Sequence, residues 1–103
     1  MTRFQFFALP LIAAMAGPAA ADIALKPIAC PFAAVGYAIT GAKGESDGVA
    51  AEYRWLGTNR PGWRRDNQAL QHKDGRDFDI LDISLGEQRE EICFDITAFF
   101  GRF

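Results

Sequence analysis

Toward the C-terminus, Ile92, Phe94 and Ile96 alternate with Glu91, Cys93, Asp95 and Thr97, the period of a strand with one face in a core. Upstream, Asp74-Gly75 lies between Gln68 to Lys73 and Arg76 to Leu85, a hairpin signal, and Gly86-Glu87 makes a second turn into Arg89 to Thr97. These segments predict a three-stranded antiparallel meander. Its middle strand changes phase, with Phe78 and Ile80 on one parity and Leu81, Ile83 and Leu85 on the other, which implies a bulge or burial on both faces. Before the meander, Val49, Tyr53 and Leu56 fall at i, i+4 and i+7 of a helix that Ser46 or Asp47 caps and that ends near Asn59, ahead of Pro61-Gly62. Trp55 lies beside that stripe and is expected at its rim. Gly41 to Gly48 reads as a polar loop, and residues 32–40 fit either a strand (Ala33, Val35, Tyr37, Ile39) or a helix stripe (Phe32, Val35, Gly36, Ile39). The expected class is α+β, a three- or four-stranded antiparallel meander packed by one or two helices and closed by one disulfide.

The N-terminal pattern is of another kind. Arg3, an apolar stretch from Phe4 to Met15 and Ala19-Ala20-Ala21 make a secretory signal peptide over residues 1–21, with cleavage before Asp22. Roughly a dozen apolar residues fall short of the about 20 that span a bilayer. The expected mature chain is a single small domain, residues 22–103, with no transmembrane span and a periplasmic or secreted location. Of the 103 residues, 82 remain after cleavage, enough for one modest core. Cys30 and Cys93 are the only cysteines, lie near opposite ends of that domain and are destined for an oxidising compartment, so they are expected to pair. Closing so long a loop removes up to about 4 kcal/mol of unfolded-state entropy.

Charge and chemistry mainly exclude. The mature chain carries ten Lys and Arg (eleven less Arg3) against thirteen Asp and Glu, so nucleic acid is not an expected partner. One histidine, His72, sits beside the hairpin turn with no nucleophile motif around it, and reads as an exposed strand-end side chain. Asp77 and Asp79 share a face where solvent keeps both ionised, while Glu90 and Glu91 point to opposite faces, so neither pair is set up as acid and base. The Asp74 to Asp79 run lacks the order and the distal glutamate of a calcium loop. Both methionines fall in the signal peptide and there is no Cys-x-x-Cys-His, which leaves haem only His72. The expectation is a non-enzyme with no cofactor and no metal.

Two clusters remain for recognition. Arg54, Arg60, Arg64 and Arg65 gather around Trp55 and Trp63, at the helix end and the following turn, and Trp and Arg are the residue types that most often carry interface energy. The C-terminal Phe99, Phe100 and Phe103 either fold back on the core or form an exposed aromatic patch. A final aromatic also resembles the terminal signal of outer-membrane barrels, but the chain is too short and too helical for one. The candidate contact set is therefore Trp55, Arg60, Trp63, Arg64, Arg65, Phe99, Phe100 and Phe103.

The helix ending in Arg60-Pro61-Gly62, then Lys73-Asp74-Gly75-Arg76-Asp77-Phe78-Asp79-Ile80, then Ile92-Cys93-Phe94-Asp95, resembles a PepSY-type domain over about 50 residues. The chain departs from that pattern in placing Thr97-Ala98-Phe99-Phe100 before Gly101 and a cysteine in the last strand. The resemblance implies an extracytoplasmic, non-catalytic module, in some relatives linked to restraint of proteases. The expected function is a small exported binding or inhibitory module with a protein partner in the cell envelope. The alternatives are a structural envelope protein without a discrete ligand and, third, a minor hydrolase.

Overall fold

A computed structural model describes residues 22–103; the expected signal peptide lies outside the described residues. The elements are β1 (Ala24–Pro27), β2 (Val35–Thr40), α1 (Glu45–Asn59), β3 (Arg64–Lys73), β4 (Arg76–Leu85) and β5 (Gln88–Asp95). Among the described residues the fold is α+β, with one helix on a five-stranded sheet ordered β1-β2-β5-β4-β3. The meander β3-β4-β5 is present and antiparallel, with its turns at Asp74-Gly75 and Gly86-Glu87. Asp74 and Gly75 both take positive φ (54° and 76°), which is the backbone a two-residue type I′ turn needs.

The sheet is larger than the sequence pattern implied, and it is mixed. Residues 35–40 resolve as strand: Val35, Gly36, Tyr37 and Ala38 pair in parallel with Ile92, Cys93, Phe94 and Asp95, and β1 adds an antiparallel edge to β2. Parallel pairing of β2 with β5 buries β5 between two neighbours. Its alternation therefore divides two cores: Ile92 and Phe94 face α1, while Cys93 faces away.

The phase change in β4 is burial on both faces. Leu81 and Ile83 join Ile39, Leu56, Ile92, Phe94 and Phe99 under the helix, and Phe78 and Ile80 lie with Cys93 on the other side. The segment Ile28–Ala33 covers that second face, tied there by the Cys30–Cys93 disulfide, with Phe32 edge-on to Phe78 at 5.5 Å between ring centroids. Gly36 makes the crossing possible, because a Cβ there would stand 2.9 Å from Cys30 Cβ. The bulge belongs to β3, between Arg65 and Asn67.

Helix α1 differs from expectation in its start and its buried face. Gly44, in extended conformation, holds the N-cap position, so the helix begins ahead of Ser46 and Asp47 and neither caps it. The C-terminal turn supplies one missing partner, because Glu45 N–H donates to Arg102 O (2.8 Å), and Glu45 Oε2 in turn accepts from Gly101 N–H (2.7 Å). The buried residues are Gly48, Ala51, Glu52 and Leu56; Val49 is half-buried and Tyr53 exposed. The small residues face inward because Phe99 packs against the helix at Gly48. Trp55 sits at the rim as expected, against Tyr37 and Phe94 at 5.1 and 5.9 Å between centroids.

Candidate functional site

The basic, aromatic end of α1 is assembled only in part. Arg60 is held by Glu90 through a two-pronged pair, Nε to Oε1 at 2.6 Å and Nη2 to Oε2 at 2.8 Å, and its guanidinium lies 5.3 Å from the Trp55 ring centre. Its hydrogen bond holds the Glu90 carboxyl below the usual range, and Glu90 in turn raises Arg60. Arg65 stacks on Tyr53 at 4.3 Å, and Arg64 turns to Asp66 (2.6 Å). Arg60, Trp63 and Arg65 share a shallow groove of about 290 Å³ with Tyr53. Trp55 is packed into the core rim, so it belongs to the scaffold rather than to a free surface.

The C-terminal aromatics divide as well. Phe99 is buried, whereas Phe100 and Phe103 are exposed near the start of α1. The eight candidate residues thus lie at two ends of a 15-residue helix, about 22 Å apart.

Between those ends runs a second groove, of about 290 Å³, which pattern reading did not find. One wall is α1, through Glu45, Val49 and Glu52; the other is the sheet, through Gln68 and Leu70 of β3 and Asp79 of β4; Ile96, Phe99 and Phe100 close one end. It exists because α1 lies over β2, β5 and β4 and leaves β3 uncovered. Register puts Leu70 opposite Asp79 and Gln68 opposite Leu81, so both β3 side chains stand on the helix side.

The floor of this groove is acidic. Glu52 is 1% exposed, and neither of its carboxyl oxygens has a hydrogen-bond partner. Asp79 is the neighbouring carboxyl, and Gln68 Nε2 donates to both Asp79 oxygens at 2.8 Å. Burial, with the neighbouring Asp79 adding to it, pushes the Glu52 carboxyl up to about 10, so Glu52 keeps its proton at neutral pH. Asp79 is therefore not the solvated partner of Asp77 that alternation suggested. The strand face it shares with Asp77 runs beneath the helix, and only Asp77 reaches the turn, where it pairs with exposed His72 at 2.9 Å.

The sequence did hold a signal for this site. Glu52 lies on the i, i+4 line from Gly48 to Leu56, so a small residue and an apolar one on the same line place it inward, although glutamate by type is only a generic helix former. Chemically, an acid that holds its proton up to about 10 is a poor proton donor at neutral pH, and among the described residues no Ser, Thr, Cys or His lines the groove. Among the described residues no three His, Cys, Asp or Glu side chains are grouped to hold a metal ion, and no helix is long and apolar enough to cross a membrane. No protein-family model, curated protein or solved structure matches the chain.

Proposed function

We propose that this chain is an exported, non-catalytic module that acts by binding another protein, with β3 and the flanking groove as its contact surface. One observation carries the reading: β3 is a ten-residue edge strand with nine residues exposed, lying beside a groove that its own helix leaves open. An edge strand offers unpaired backbone donors and acceptors to an extended segment, with side-chain pockets alongside for selectivity. The ends of β3 carry charge and a bulge, which discourages indiscriminate pairing, but Asn67 to His72 between them is free of Lys, Arg, Asp and Glu. The disulfide is compatible with an oxidising location, and the resemblance to PepSY-type domains supports a module without chemistry of its own.

Capture from envelope extract tests this, with the mature chain and a Leu70→Lys variant compared side by side. Leu70 is exposed, so the variant should keep its fold. Recovery of a protein by the parent and its loss with the folded variant is the expected result. Equal recovery by both, or none above an unrelated folded domain, would remove the β3 surface from consideration.

A further inference from the structure

We propose that the groove between α1 and β3 receives a basic side chain, an arginine or lysine of the partner protein, whose charge meets the carboxyl groups of Glu52 and Asp79. This rests on the reading of the chain as a protein-binding module and adds the chemistry of its contact. Three observations converge. Glu52 is nine-tenths and more buried, lines the groove, and has no donor reaching either of its oxygens, a state that a hydrocarbon of similar shape would avoid. A second carboxyl group, Asp79, faces the same space, and a third, Glu45, lines its rim with one oxygen already committed to Gly101 N–H. Among the described residues, those lining the groove include no Lys, Arg or His.

The remaining wall selects among cations. Val49, Leu70, Ile96 and Phe100 are apolar and flank the acidic floor, which suits a charged head on an aliphatic stem better than a small hydrated ion. At about 290 Å³ the groove lies at the low end for small-molecule sites and is of side-chain scale. A guanidinium or ammonium entering it supplies hydrogen-bond donors to the unpartnered oxygens and positive charge between two acids. Both effects favour ionised Glu52, so a turn of the Glu52 side chain toward the groove and release of its proton to solvent accompany binding. The Gln68 amide, bonded to both Asp79 oxygens, holds that carboxyl in place for the incoming group.

The probes are N-acetyl-arginine methylamide and its uncharged citrulline counterpart, titrated into the mature, disulfide-bonded chain by NMR and calorimetry. Chemical-shift changes are expected at Gln68, Leu70 and Gly101 with the arginine probe alone. Calorimetry in two buffers of different ionisation enthalpy should report about one proton released per ligand at neutral pH. Glu52→Gln should weaken binding about tenfold or more and abolish the proton release; Asp79→Asn serves as the second variant if Glu52→Gln does not fold. Equal binding of the citrulline probe, absence of proton release, or retained affinity in a folded Glu52→Gln chain would overturn the proposal. If the arginine probe fails while Leu70→Lys still abolishes partner capture, the basic-side-chain assignment falls and the binding module stands. If the probe binds but no partner is captured, the module reading falls instead.

Discussion

The ring of Phe99 lies where a side chain on Gly48 would project. A Cβ at Gly48 would overlap three ring atoms, so the C-terminal turn reaches the core only because the helix has no side chain there. Helix propensity argues the other way, since alanine in place of an interior glycine gains about 0.5–1 kcal/mol. Gly48→Ala is nevertheless expected to destabilise the domain by about 1–3 kcal/mol, because the buried ring has to move. Gly57, in the same helix with nothing near it, is the internal control. Gly57→Ala should stabilise by about 0.5–1 kcal/mol. Urea melts giving the two variants the same sign would dissolve the link between Gly48 and Phe99.

Strand parity in β5 gives a second contrast. Phe94 is fully buried between α1 and the sheet, whereas Glu91, three residues earlier, is exposed on the other face. Phe94→Ala is expected to cost about 3–5 kcal/mol and Glu91→Ala less than about 0.5. Comparable shifts of the urea midpoint in both variants would contradict the register of β5 against β4.

What was readable from sequence and what was not divides by range. The Asp74-Gly75 hairpin, the alternation of Ile92, Phe94 and Ile96 and the end of α1 near Pro61 are local, and each is found where its pattern lay. The pairing of β2 with β5 spans more than 50 residues and has no turn to announce it, so the sheet came out two strands wider than the meander. The buried face of α1 differs from the Val49, Tyr53 and Leu56 stripe for a similar reason. Val49 and Tyr53 satisfy the helical period, but which side turns inward is decided by Phe99, some 50 positions away. Glu52 belongs to that same displaced face. The sequence alone presents the arginines as a free surface, yet Arg60 is occupied by Glu90, a partner visible only once β5 is in place.

The disulfide joins β5 to the segment that covers its second face. Cys30 and Cys93 are 63 positions apart with Cα atoms at 6.4 Å, and Ile28, Phe32 and Ala33 lie against Phe78 and Ile80 through that tether. Replacing both cysteines with serine is expected to lower stability by up to about 4 kcal/mol, a large share of what a domain of this size has. Hydrogen exchange should locate the loss first in the amides of residues 28–36, with α1 protected longer. Uniform loss of protection across the chain would instead make the bridge a global staple.

Titration of Glu52 sets the last expectation, one that needs no ligand. Its carboxyl is raised from 4.5 to about 10 in the folded chain, so the folded state holds a proton that the unfolded chain releases above its ordinary value. The stabilisation is fully present below about pH 4.5 and is lost as pH climbs toward about 10, at a slope of at most about 1.4 kcal/mol per pH unit. Glu90 and Asp95 act with the opposite sign. Arg60 lowers Glu90, and Asp95 is lowered because Thr97 and Arg76 outweigh its burial; the stability these groups add is present above their ordinary range and lost in acid. The comparison that isolates Glu52 is with Glu52→Gln, which has nearly the same shape and carries no charge at any pH. Relative to that variant the parent should lose stability steadily between about pH 5 and pH 8, read from urea midpoints, while the two converge toward pH 4. Parallel curves across that window would show that Glu52 is ionised in the folded chain and that the floor of the groove is solvated.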